Sequence, residues 1–291
     1  FEAFANAGVV LTGFDVETPT SNWVSVLYNN TGEEYTGYSI SVGDQSYDFN
    51  EVAASTDLVE VAVGGLSFDI DGALSLEGDF GFVRDADNNQ LIVVAEHATA
   101  TLTAGDFAVG VTDANLGLVF DTTGLAFEAN GGMFAELGSE ILVAANHVTL
   151  RWNDSDEDFS DEVLSAAGLS FTFGELTAAM NLEAIVTGAT LSVSNFLYIE
   201  GDFSILQGSD NVAVGGGVEV DVDVLKIGAS NLSAFAGLNY DTAEALGLEL
   251  SNLEFALLFL SDQNNADRQW MSLAGSTGAA SFVGIDGIEI D

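Results

Sequence analysis

The stretch VEVDVDV, Val218 to Val224, alternates valine with an acidic residue at every step. Successive side chains of a strand point to opposite faces. Val218, Val220, Val222 and Val224 therefore fall on one side, and Glu219, Asp221 and Asp223 on the other. This is the pattern of a half-buried β-strand with an all-acid outer face. The same period of two runs through LVEVAV (58–63), LSFDI (66–70), ALSLEGDF (73–80), TATLTAG (99–105), HVTLRW (147–152) and LELSNLEFALLF (248–259). Helical text is confined to 161–168 (DEVLSAAG) and 241–246 (DTAEAL), each expected to form a short turn with an acidic start. More than half of the chain reads as β.

The strands are punctuated by Gly, Asn and Asp, with Pro19 the single proline. A tripeptide centred on Asn recurs at Ala114-Asn115-Leu116, Ala145-Asn146-His147, Ser194-Asn195-Phe196, Ser230-Asn231-Leu232 and Ser251-Asn252-Leu253. Gly-Asp-Phe recurs at 78–80, 105–107 and 201–203. Asn and Gly tolerate left-handed backbone angles, so these positions read as corners. Regular strand-corner-strand text predicts an all-β, elongated repeat architecture. A β-solenoid is the first expectation and tandem β-sandwich domains the alternative. An outer-membrane barrel ranks third, because lumen-facing Arg and Lys are usual there.

A longer repeat is also legible. LSLEGDFGF (74–82) matches LYIEGDFSI (197–205) at an offset of 123 residues, and SFDIDG (67–72) echoes SFVGIDG (281–287). This divides the chain into an N-terminal β segment (1–57), a first unit (58–164) and a second unit with the start of a third (165–291). The N-terminal segment holds Pro19, Trp23, Tyr28, Tyr35, Tyr38 and Tyr47 and reads as the tail of a preceding module. Beginning at Phe1 without Met, the chain reads as a piece of something longer.

The charge is extreme. There are 46 Asp plus Glu against 4 Lys plus Arg, a net charge of −42, yet 48% of the residues are hydrophobic. A chain this apolar can bury a core, unlike a disordered acidic chain. Its carboxylates must lie outside with almost no basic partners. Such a surface repels itself unless salt, divalent cations or a cationic partner neutralises it. Nucleic acid is excluded as a direct ligand, since phosphate binding needs clustered Lys and Arg. There is no cysteine, hence no disulfide or thiolate metal site, and no transmembrane segment of about 18 apolar residues.

The strings LKIGASNLSAFAGLN (225–239), GLELSNLEFALLFLSD (247–262) and SFVGIDGIEI (281–290) resemble repeat units of giant, acidic, adhesin-like surface or secreted proteins of bacteria. The resemblance covers about residues 60–291. It implies an extracellular or cell-surface location and a structural or adhesive role. The partners it implies are like repeats, other copies of the chain, glycans or cell-surface molecules. It brings no catalytic residues with it.

Two turns carry the spacing of a calcium loop. In NDSDEDFSDE (153–162), Asp154, Asp156 and Asp158 alternate and Asp161 follows. Carboxylates at i, i+2 and i+4 in a loop converge on one point, as Ca²⁺ with six to eight oxygen ligands requires. In RDADNNQ (84–90), Asp85, Asp87 and Asn89 repeat that spacing. Both also suit ordinary solvated turns. Arg151 is expected to pair with Asp154 or Asp156. His97 and His147 read as isolated strand residues and not as a zinc site. No nucleophile elbow or phosphate loop occurs, and with four basic residues in all the chain reads as a non-enzyme. Trp23 and the N-terminal tyrosines are the first place to seek a ligand surface.

Overall fold

The computed structural model describes residues 2–5, 22–49, 52, 54–55, 58–70, 74–85, 88–104, 107–120, 122–137, 141–155, 157–178, 180–214 and 218–284. The described chain is all-β, and its strands assemble into one large antiparallel sheet of 14 strands with two small hairpins attached. In chain order the first strands are β1 (Glu2–Ala5) and β2 (Trp23–Asn29), followed by a hairpin of β3 (Ser39–Val42) and β4 (Gln45–Asp48). Six long strands come next: β5 (Leu58–Ile70), β6 (Leu74–Asp85), β7 (Gln90–Ala104), β8 (Phe107–Phe120), β9 (Leu125–Leu137) and β10 (Ile141–Asn153). The second hairpin is β11 (Val163–Ala166) with β12 (Leu169–Thr172). The sheet resumes with β13 (Met180–Val193), β14 (Leu197–Val214), β15 (Val218–Leu238), β16 (Leu246–Asp262), β17 (Gln269–Ser276) and β18 (Ala279–Val283).

Apart from the two hairpins, each strand pairs with its neighbour in sequence, and β17 and β18 share the far side of β16. The elongated, repetitive all-β character matches the sequence reading. The sheet does not close into the coil of a solenoid: neighbours run antiparallel through tight turns. Both expected helical turns are absent, since 163–166 is strand and 241–246 runs through turns into β16.

The reason the Asn tripeptides mislead is physical. Four of the five lie inside strands, where they mark β-bulges. Register shifts occur at one level from β5 to β16, between Val63 and Leu66, Ala95 and Ala98, Thr112 and Asn115, Ala145 and Val148, Val186 and Ala189, and Ala229 and Leu232. Positive φ follows this line at Gly65, His97, Asp113, Gly188, Asn231 and Asn252. A bulge inserts one residue and bends its strand. These are the same left-handed angles a corner would need, so residue type alone does not separate the two. Only Ser194-Asn195 sits in a turn, between β13 and β14. β15 spans 21 residues, about 70 Å at the usual rise, and the bulges let such strands curve together.

The core is built by a hairpin folding back over the sheet. β11 and β12 lie against β5 to β8. Leu164, Ala166, Phe171, Phe173 and Leu176 are buried there with Val83, Val94 and Val119. Burial of each large side chain contributes about 1.5–3 kcal/mol. Glycines make room. A Cβ on Gly117 would come within 2.5 Å of the Phe171 ring, and one on Gly81 would strike the Ala166 carbonyl. On the opposite face, Val63, Leu66, Phe80, Ala95 and Ala98 form a second cluster drawn from both sides of the bulge line.

The first hairpin copies the second. Asn29 and Asn153, 124 residues apart, make the same bonds: Oδ1 accepts from the backbone and hydroxyl of Thr31 or Ser155, and Nδ2 donates to the carbonyl of Glu33 or Glu157. The same offset relates Tyr35 N–H to Val52 O with Phe159 N–H to Leu176 O, and Phe49 N–H to Tyr38 O with Phe173 N–H to Glu162 O. In the strands that follow, Gly65 N–H donates to Asp79 and Gly188 N–H to Asp202, 123 residues on.

Gly188 has φ 61°, and a Cβ there would press into the Asn146 side chain. Gly168 has φ 84° but open space around it. Gly188→Val is expected to cost about 1–3 kcal/mol and clearly more than Gly168→Val in urea denaturation. Equal losses contradict a tight bulge line.

Candidate functional site

The charged residues that pack most closely lie between sheet and hairpin. Glu128 on β9 faces Arg151 on β10, and Arg151 faces Glu183 on β13. Arg151 Nη1 donates to Glu183 Oε2 at 2.5 Å, and Nη2 reaches Glu128 Oε1 at 3.4 Å. Arg151 Nε lies 3.1 Å from Glu128 Oε2 as an ion-pair contact without hydrogen-bond alignment. The other donor to Glu128 is the backbone N–H of Gly174, at 2.7 Å. Burial alone would lower the Arg151 pKa, but the bonds to Glu128 and Glu183 outweigh it and raise it. The guanidinium is thus held charged. This corrects the expected pairing with Asp154: Arg151 points into the core, towards acids that are distant in sequence. Asp262, also buried, pairs with Arg268 at 2.9 Å, and the Arg268 guanidinium lies over Trp270.

The acidic loop serves its own backbone. Asp154 Oδ1 accepts from Leu125 N–H at 2.6 Å and so ties the loop to the start of β9. Asp158 accepts from the Ser160 backbone N–H, and its hydrogen bonds to Ser160 hold its pKa below the usual carboxylate value. Asp161 takes φ 62° and donates its N–H to the Gly174 carbonyl. Asp156 lies outside the described residues. In the other turn, Asp85 accepts from both the backbone and the side-chain amide of Asn88, and Asn89 has φ 53°. Asp87 lies outside the described residues. Among the described residues, no three or more His, Asp or Glu side chains are gathered in a metal-holding group.

Two exposed polar pairs cross the bulge line. His97 Nδ1 is 2.6 Å from Asp113 Oδ1, and this bond raises the imidazole pKa above its ordinary value. Asp202 accepts from the Asn231 side chain and the Gly188 N–H, which lower its pKa in that order. His147 sits on β10 with Nε2 3.3 Å from Thr149 Oγ1.

Of the N-terminal aromatics, Trp23 lies against Gly64, where a Cβ would have no room. Tyr28, Tyr35 and Tyr38 line a groove of about 340 Å³ with Ile40, Phe49 and Val52. Tyr35 and Tyr38 meet edge to face at 5.9 Å. Sequence reading missed Glu128, Glu183 and Asp262. The available signal was an acid placed among apolar strand residues; its partner depends on strand register. No protein family, curated protein or solved structure matches this chain in the comparisons made.

Arg151→Met leaves Glu128 and Glu183 without their cation. Breaking a buried pair from one side costs about 3–5 kcal/mol, so its urea midpoint should fall well below that of Arg268→Met, whose guanidinium is more exposed. Equal midpoints contradict the internal role of Arg151. The His97–Asp113 bond favours the folded state while His97 is charged. That contribution is complete below the ordinary histidine value and is lost as pH rises through the elevated one. An NMR titration should place the His97 imidazole above 6.5, and Asp113→Asn should bring it down. An unchanged titration contradicts the bond.

Proposed function

We propose that this chain is a non-catalytic structural segment of a large extracellular surface or matrix protein, stabilised by dissolved or bound cations. One observation carries the reading. Two of its four basic side chains, Arg151 and Arg268, are engaged with buried carboxylates inside the fold. That leaves the surface carboxylates with scarcely any fixed positive charge to balance a net −42. Cations from the medium then supply the balance, as an ion-rich exterior would. The recurrence of one hairpin-and-strand design at 123–124 residues supports a repetitive scaffold. The resemblance to repeats of bacterial surface proteins points the same way.

Calcium at Asp154, Asp156, Asp158 and Asp161, or at Asp85, Asp87 and Asn89, is the divalent form of this proposal. A second reading, a carbohydrate- or partner-binding module, is favoured by the tyrosine-lined groove of Tyr28, Tyr35 and Tyr38.

Thermal melting tests these readings. Tm should rise as NaCl increases from low ionic strength, because screening weakens repulsion among exposed carboxylates. A further rise with CaCl₂ at matched ionic strength, reversed by EDTA, supports calcium. A Tm indifferent to both salts removes the cation-stabilised reading. Glycan binding lost in Tyr38→Ala would favour the second reading.

A further inference from the structure

We propose that the hairpin β3–β4 is a docking element for a second copy of this chain, and that it seats on the copy's β14–β16 face. The proposal rests on the repeat reading above and names the partner it implies.

The first observation is a difference between equivalent residues. Leu164, Ala166 and Phe171 of the second hairpin are 1%, 1% and 6% exposed, whereas Ile40, Val42 and Tyr47, 124 residues earlier, are 45%, 75% and 43% exposed. The two hairpins share their backbone hydrogen bonds. They also share an internal anchor, since Val52 and Leu176 are both fully buried. Hence the first hairpin is formed, and the side equivalent to the buried one of β11–β12 is open. The groove beside Ile40 marks the same opening.

The second observation is where the covering face would come from. β11–β12 follows β10 and lies back over β5 to β8. β3–β4 follows β2, and among the described residues β1 alone lies on that side of it. The described strands thus leave its inner side uncovered, and a second copy of the chain is the partner whose sheet we assign to it.

The third observation is that the chain carries a matching face, open at Ser204 and Ala256 and flanked by the half-buried Leu206 and Leu258. The bonds to Asp79 and Asp202 align β6 with β14. Register then carries Gly81, Val94 and Gly117 onto Ser204, Gly228 and Ala256. All three are small, as the close approach of a hairpin requires. Ser204 and Ala256 are exposed. Leu206 and Leu258 take the places of Val83 and Val119 beside them. Lys226, the single lysine, lies between those two leucines in register. It offers a positive charge to a hairpin that carries Asp44 and Asp48.

A hairpin on one copy and a face on the next make a heterologous contact, which extends into linear assemblies. Sedimentation velocity of the full chain, up to about 1 mM and in salt sufficient for screening, should show concentration-dependent association. Val42→Glu on the hairpin and Ala256→Glu on the face should each abolish it, with Tm unchanged. Val163→Glu, on the outer side of β11, should leave it intact. A wild-type chain that stays monomeric throughout overturns the proposal. So does association that survives both Val42→Glu and Ala256→Glu, or binding of the hairpin to lipid vesicles in place of a copy. The salt dependence of Tm is read separately, so a salt-stabilised but monomeric chain sinks the docking and leaves the scaffold reading standing.

Discussion

The docking of β11–β12 over β5 to β8 is the contact on which the rest of the structure depends. A wide antiparallel sheet has two faces, and its strands can bury apolar residues only where something covers them. Here that cover is a short hairpin inserted between β10 and β13. It encloses Val83, Val94 and Val119 from the sheet with Leu164, Phe171 and Phe173 of its own segment. Its fit explains the glycines at 81 and 117, which would otherwise be weak choices in strand interiors. It also explains why three charged residues, Glu128, Arg151 and Glu183, are held in register beneath Gly174.

The bulge line is the second constraint, and it serves the first. Long strands in a flat sheet would not curve around a small hairpin. One extra residue at the same level in successive strands bends them together. Small residues and left-handed positions at Gly65, Gly188, Asn231 and Asn252 accommodate that geometry. Polar side chains then bridge the interrupted ladder, as Asp79 and Asp202 do by accepting glycine N–H groups. Some of the acidic residues are therefore structural acceptors and not surface charge alone.

Much of this was legible in the sequence. Alternation at 218–224 gave the strand and its faces, and Val220, Val222 and Val224 are indeed the buried side. The echo of LEGDF at IEGDF marks the level at which β6 faces bulges in β5 and β7, and β14 faces the equivalent bulges in β13 and β15. The Asn tripeptides were visible but ambiguous, because a corner and a bulge ask for the same φ. The partners of Arg151 were not legible: Asp154, three residues away, looks closer in sequence than Glu128 or Glu183, which only register brings near. The kinship of 29–52 with 153–176 was hidden because Tyr, Ile and Val stand in one copy where Phe, Leu and Ala stand in the other. What persists is the Asn-x-Ser/Thr-x-Glu spacing and its hydrogen bonds.

The most direct test of this account is whether the hairpin rests on the sheet in solution. In a sample labelled at Phe and Gly, nuclear Overhauser contacts should link the Phe171 ring to the α-protons of Gly117, because the ring lies where a Gly117 Cβ would point. Clear contacts there, lost in Leu164→Asp, are the predicted result. Their absence in a folded wild-type chain, with Phe171 as solvent-accessible as Tyr47, would contradict the account.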